Sequence, residues 1–145
     1  PILNECYSAS IDEEATLNGQ PIVVSDVSDL EACILVTSGL FRVVKSEERT
    51  SGFLNALRTL RKVRVLGAAA LDLCQVAAGV ADAMYESELK VWDIAAAGLI
   101  ARKAGATVVQ FGERHGSALN LMASTPSLFE QVRHVLDIQD ARAWE

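Results

Sequence analysis

Residues 33–37, Cys-Ile-Leu-Val-Thr, form an unbroken apolar run. Such a run fits a β-strand buried on both faces, because no position in it is set aside for solvent. A strand covered above and below implies layers on each side of a sheet. Several further segments supply those layers. Residues 51–60 read as a helix with Phe53, Leu54, Leu57 and Leu60 on one side. Residues 63–66 read as a strand broken at Gly67, and residues 68–78 as a buried helix with Gly79 as its C-terminal cap. Residues 81–85 return as a strand, and residues 93–104 form the next helix, closed by Gly105. Strands follow at 107–111 and 119–123. A last helix starts at Thr125-Pro126 and runs through Phe129, Val132 and Leu136.

The order of these segments predicts an α/β fold, a layered mixed β-sheet flanked by helices. Ahead of the alternation, residues 5–10 have strand character, and Asn18-Gly19 signals a hairpin between Leu17 and Ile22. That hairpin is expected in a different sheet. Ser28 and Glu31 have capping-box spacing, which predicts a short helix or turn. Residues 137–145 are polar and are expected to fray or dock weakly.

Composition excludes several classes. With 145 residues, 50% hydrophobic and 22% charged, the chain can bury a real core and is not disordered. No signal peptide or membrane-spanning run is visible, so a cytoplasmic protein is expected. A net charge of −6 argues against nucleic acid as a partner and leaves room for a divalent cation. Cys6, Cys33 and Cys74 have no metal-ligand or CxxC spacing and read as buried reduced thiols. The chain opens at Pro1 without a methionine, which looks like a chain entered in its middle.

The residues that could carry chemistry are acidic or small. Asp93 follows Trp92 and opens an alanine-rich helix. An aspartate there either caps the helix or reaches outward to hold a metal. Trp92 reads as a core or domain-boundary aromatic. Glu86 ends a predicted strand before a Ser87-Glu88 turn. It reads as a solvated loop acid unless the strand end gathers a ligand. Gly67-Ala68-Ala69-Ala70 permits close backbone approach. Asp72, inside its helix, needs solvent or a partner. Glu13-Glu14 reads as solvated turn charge, and His115 and His134 as surface residues. No nucleophile–base pair, P-loop or GxGxxG stands out.

Taken together, these segments resemble the inositol monophosphatase family of magnesium-dependent phosphatases. The matching stretches are Gly67-Ala-Ala-Ala-Leu-Asp-Leu-Cys-Gln-Val-Ala-Ala-Gly79, Ala81-Asp-Ala-Met-Tyr-Glu86, Trp92-Asp93-Ile-Ala-Ala-Ala97 and Lys103-Ala-Gly105. Leu17-Asn18-Gly19 and Ala123-Ser124 fall in the family's order. The resemblance covers almost the whole chain but only the C-terminal part of the family. The Gly-Glu-Glu and Asp-Pro-x-Asp-Gly-Thr segments that hold its other metal ligands do not occur here. Ala68 replaces the usual serine or threonine, Lys103 a usual acid, Ala106 a second glycine, and Glu14 a common glycine.

The resemblance implies the C-terminal part of a sandwich fold. Residues 1–26 would be a remnant of an upstream domain, and residues 27–145 a C-terminal α/β domain. It implies a Mg²⁺-dependent phosphate monoester hydrolase acting on a small phosphorylated polyol or sugar, with the inositol type favoured. Asp93 would be a metal ligand and Glu86 would reach a substrate hydroxyl. The Gly67, Ala68 and Ala69 backbone would border the pocket. The 145-residue chain alone is expected to be inactive. Its expected partners are the missing N-terminal portion and a second copy, as a homodimer. The alternative is a non-catalytic binding or structural module that keeps the fold.

Overall fold

A computed structural model describes residues 3–39 and 47–144 of the chain, without the side chains of Glu48, Arg114 and His115. The His115 side chain, expected at the surface, therefore lies outside the described part.

The described residues form two sheets. The first holds β1 (Tyr7–Ser8), β2 (Thr16–Leu17) and β3 (Gln20–Pro21), paired antiparallel. Asn18 and Gly19 both have positive φ at the β2–β3 turn, as the hairpin signal requires. This ribbon is separate from the main sheet, as the sequence order suggests.

The main sheet is mixed. It contains β4 (Ile34–Thr37), β5 (Lys62–Val65), β6 (Ala83–Lys90), β7 (Thr107–His115), β8 (Ala118–Ser124) and β9 (Arg142–Ala143). Its order is β5-β4-β6-β8-β7-β9. The β5, β4 and β6 strands run parallel, and the remaining pairs are antiparallel.

Helices cover both faces. On one lie α2 (Ala69–Ala77) and α3 (Val91–Lys103), whose Leu73, Val76, Ile94 and Ile100 pack with Val36, Met84 and Leu121. On the other lie α1 (Glu47–Thr59) and α4 (Phe129–Val135). There Phe53, Ala56 and Val132 pack with Leu35, Tyr85 and Met122. Leu35 and Val36 thus serve opposite layers, which is why the 33–37 run needs apolar side chains on both faces.

Several expectations need correction. Helix α1 buries Phe53 and Ala56, with Leu60 buried just past its end, while Leu54 and Leu57 are exposed. Of the short helix or turn expected at Ser28, the turn is what forms, with the Asp29 carboxylate accepting the Glu31 amide. Thr125 opens a single 3₁₀ turn before α4, and its hydroxyl bonds Ser127 rather than capping a helix. The tail docks firmly, because Ile138 is buried, β9 pairs with β7, and Trp144 packs against the core. Cys6 is exposed, whereas Cys33 and Cys74 are buried. Among the described residues, no helix is long and apolar enough to cross a membrane.

Candidate functional site

An open cleft of about 540 Å³ lies beyond the carboxyl ends of the parallel strands. Ligands gather at such ends in α/β sheets because the connecting loops leave a crevice there. Its lining includes Ser38 after β4, Gly67 to Ala70 between β5 and α2, Glu86 and Leu89 on β6, and Trp92 and Asp93 on α3. Gly67, Ala68, Ala69, Glu86 and Asp93, the five residues the family resemblance points to, all line this one cleft.

The small-residue wall follows from a tight turn. Gly67 has φ +88, a left-handed conformation that side chains resist, and a Cβ there would meet open space. The positive φ, not crowding, is what requires glycine. Ala68 is extended and carries no side-chain cap, so the first amides of α2 start at the cleft wall without an intrahelical partner.

Glu86 is buried, not solvated in a loop. The predicted turn at Ser87-Glu88 is a bulge inside β6, which continues to Lys90 and runs directly into α3. Glu88 takes φ +59 there, and the Asn120 side chain accepts its amide at 3.1 Å. This side-chain partner replaces the ladder bond that the bulge breaks. Glu86 Oε1 accepts the Thr37 hydroxyl at 3.0 Å, the Gly39 amide at 3.0 Å and the Ser38 amide. Three donors on one oxygen suit a charged acceptor.

Asp93 stands in the first turn of α3, three residues after Lys90, where the helix begins two residues earlier than predicted. Its Oδ2 accepts the Lys90 amide at 2.9 Å, so it does satisfy an orphan donor of the helix start. The residue is exposed, and Oδ1 has no hydrogen-bond partner among the described residues. A hard oxygen facing a cleft fits one coordination position of Mg²⁺. Among the described residues, no group of three or more His, Cys, Asp or Glu is arranged to hold a metal ion. Trp92 is 75% exposed at the cleft, which corrects the core reading.

Asp72 lies one turn into α2 and is fully buried. Its Oδ2 accepts the Ser38 hydroxyl. Burial pushes its carboxyl above the ordinary range, and the Ser38 hydrogen bond draws it partly back. Glu13, Glu14 and His134 are exposed and distant from the cleft lining.

Sequence reasoning missed Thr37, Ser38 and Gly39 as parts of the site. Their signal was positional: a Thr-Ser-Gly segment just after a buried parallel strand.

Residues 1–140 match the model of the inositol monophosphatase family. The chain is 37% identical over 132 residues to Nus factor SuhB of Vibrio cholerae, covering 87% of this chain and 48% of that protein. It is 45% identical over 97 residues to inositol-1-monophosphatase of Mycobacterium leprae, covering 67% and 33% respectively. The inositol monophosphatase structure from Anabaena (Nostoc) sp. PCC 7120 superposes with a TM-score of 0.84 at 26% identity, over 97% of this chain and 57% of that one. The chain spans about half the length of the SuhB relatives it matches.

Proposed function

The chain belongs to the inositol monophosphatase family, and from that premise we propose that it supplies one wall and one metal ligand of a Mg²⁺-dependent phosphate monoester hydrolase. The observation that carries this reading is the convergence of Asp93, Glu86 and the Gly67–Ala69 backbone on one cleft.

Each group has a task its geometry suits. Asp93 offers Oδ1 to a cation while Oδ2 stays tied to the start of α3. When bound, Mg²⁺ offsets the charge of a phosphate monoester and activates a water for in-line attack. Glu86 is held by three donors, so its carboxylate can accept a substrate hydroxyl without first being ordered. The Gly67 turn admits the leaving group close to backbone, and Ala68 presents a methyl where the family usually has a hydroxyl. The substrate is then a small phosphorylated polyol or sugar, with inositol 1-phosphate the first to test.

One carboxylate with waters binds Mg²⁺ weakly. The isolated 145-residue chain is therefore expected to be inactive, with the remaining ligands supplied from upstream of Pro1. Residues 1–26 are read as belonging to that upstream domain and residues 27–145 as the C-terminal domain. Exposed Val65, Leu66, Leu71 and Trp92 suit burial against the upstream portion or a second copy in a homodimer. A monodisperse monomer of the intact gene product in sedimentation would count against the dimer. A cytoplasmic location goes with this reading.

The deciding experiment is hydrolysis of inositol 1-phosphate by the intact gene product, with and without Mg²⁺, beside Asp93→Asn. Metal-dependent turnover lost in that variant supports the reading, and unchanged turnover removes Asp93 from it.

A second reading is a non-catalytic binding module. It is favoured by relatives of 35–37% identity that carry the name Nus factor SuhB, together with Ala68 and Lys103 in place of the family's usual residues. A folded intact product without phosphatase activity would select it.

A further inference from the structure

We propose that Asp72 is a positioning residue for the cleft, acting through the Ser38 hydroxyl to fix the segment after β4 that holds the Glu86 carboxylate. The proposal rests on the reading of Glu86 as the group that meets substrate.

The chain of contacts is short. Asp72 Oδ2 accepts the Ser38 hydroxyl. The amides of Ser38 and Gly39 both donate to Glu86 Oε1, as does the Thr37 hydroxyl from the end of β4. Ser38 therefore touches both carboxylates, Asp72 through its hydroxyl and Glu86 through its amide. The β4–β6 pairing reaches only Val36 and Met84, so the ladder does not hold Ser38 and Gly39 in place. Side-chain contacts do that work, and Asp72 provides one from the layer behind.

Asp72 is also costly to keep. It is 0% exposed, and its Oδ1 has no partner among the described residues. A buried carboxylate with an unsatisfied oxygen weakens a fold. Leu or Met would fill the same place on α2 among Leu73 and Val76 without that cost. A hydrogen bond that orders the neighbour of Glu86 gives the carboxylate a reason to be there. The upward displacement of its carboxyl by burial fits the same geometry.

The test uses the intact gene product and three variants, Asp72→Leu, Asp72→Asn and Ser38→Ala. Asp72→Leu is expected to raise KM for inositol 1-phosphate about threefold to tenfold, the scale of one hydrogen bond, with a much smaller change in kcat. Asp72→Asn keeps an acceptor oxygen and should recover most of the loss. Adding Asp72→Leu to Ser38→Ala should raise KM no further, because both cut the same link. A purely structural Asp72 would change thermal stability and leave KM and the Asn rescue flat, which overturns the proposal.

A second readout does not need turnover. The Ser38 and Gly39 amide protons should shift in Asp72→Leu and return in Asp72→Asn, and unmoved resonances overturn the proposal. If the wild-type protein shows no hydrolysis, the phosphatase reading fails and the amide shifts alone decide the positioning role.

Discussion

Gly52 of α1 and Leu136 at the end of α4 lie so close that a Cβ on Gly52 would overlap the Leu136 carbonyl oxygen and stand 2.8 Å from its carbon. The obstacle is backbone, which cannot rotate away. Gly52→Ala gains about 1 kcal/mol of helix propensity but must push α1 off α4, at about 1–3 kcal/mol. The variant is expected to be less stable than wild type in urea unfolding, although alanine is the better helix former. A more stable variant would mean the two helices separate freely.

The tail makes the opposite kind of contact. A Cβ on Gly98 would meet the Trp144 ring at 2.5 Å, and the ring is a side chain near the chain's end. Trp144 also donates its amide to Val108 at 3.1 Å, next to the β7–β9 pairing. Trp144→Ala should cost about 1–2 kcal/mol, the scale of a partly buried aromatic, and should speed proteolysis within residues 139–144. Gly98→Ala should reproduce the faster tail cleavage by displacing the ring. Equal cleavage rates in wild type and both variants would show that the tail is not held there.

Legibility followed the range of the interactions. The 33–37 run announced a doubly buried strand because its pattern is local, and Leu35 and Val36 do face opposite layers. The Gly67–Ala69 wall and Asp93 were readable for the same reason, as a strand–turn–helix and a helix start. The burial of Glu86 was misread because Ser87 and Glu88 look like a turn in isolation. The strand continues through them, with Asn120 on a different strand accepting the Glu88 amide and the β8 pairing resuming at Leu89. Thr37, Ser38 and Gly39 carried only the signal of a strand end, because their link to Glu86 comes from β4 lying beside β6, a sheet order that no local pattern encodes. The tail was misjudged on polarity, since Ile138 and Trp144 pack against the core and β9 pairs with β7 between them.

The three cysteines should separate by reactivity. Burial and the nearby Asp82 carboxylate push the Cys33 thiol up to about 12, and burial pushes Cys74 up to about 11. The thiolate is the reactive form, so both are inert at neutral pH for two reasons, access and protonation. Cys6 is exposed. Brief alkylation of the native protein followed by peptide mapping should find label on Cys6, with Cys33 and Cys74 labelled only after denaturant is added. Native labelling of Cys33 would mean that the start of β4 opens readily.

Asp72 makes stability depend on pH with a sign opposite to most carboxylates. Burial raises its folded pKa above the ordinary 3.8. Between that value and the raised one, the folded state holds a proton that the unfolded state has lost. Stability from this group is therefore full below pH 3.8 and is lost as pH rises through the folded pKa. Above its folded pKa the ionised, buried carboxylate weakens the fold. Asp72→Asn removes the charge and keeps an acceptor for the Ser38 hydroxyl, so it should melt higher than wild type at pH 7. The gap should close as pH falls through the folded pKa towards 3.8, below which both states are protonated. Melting curves of both proteins across that range check the sign. A variant that melts lower at pH 7, with the gap unchanged in acid, would mean that the carboxylate is satisfied by partners beyond Ser38 and stabilises the fold.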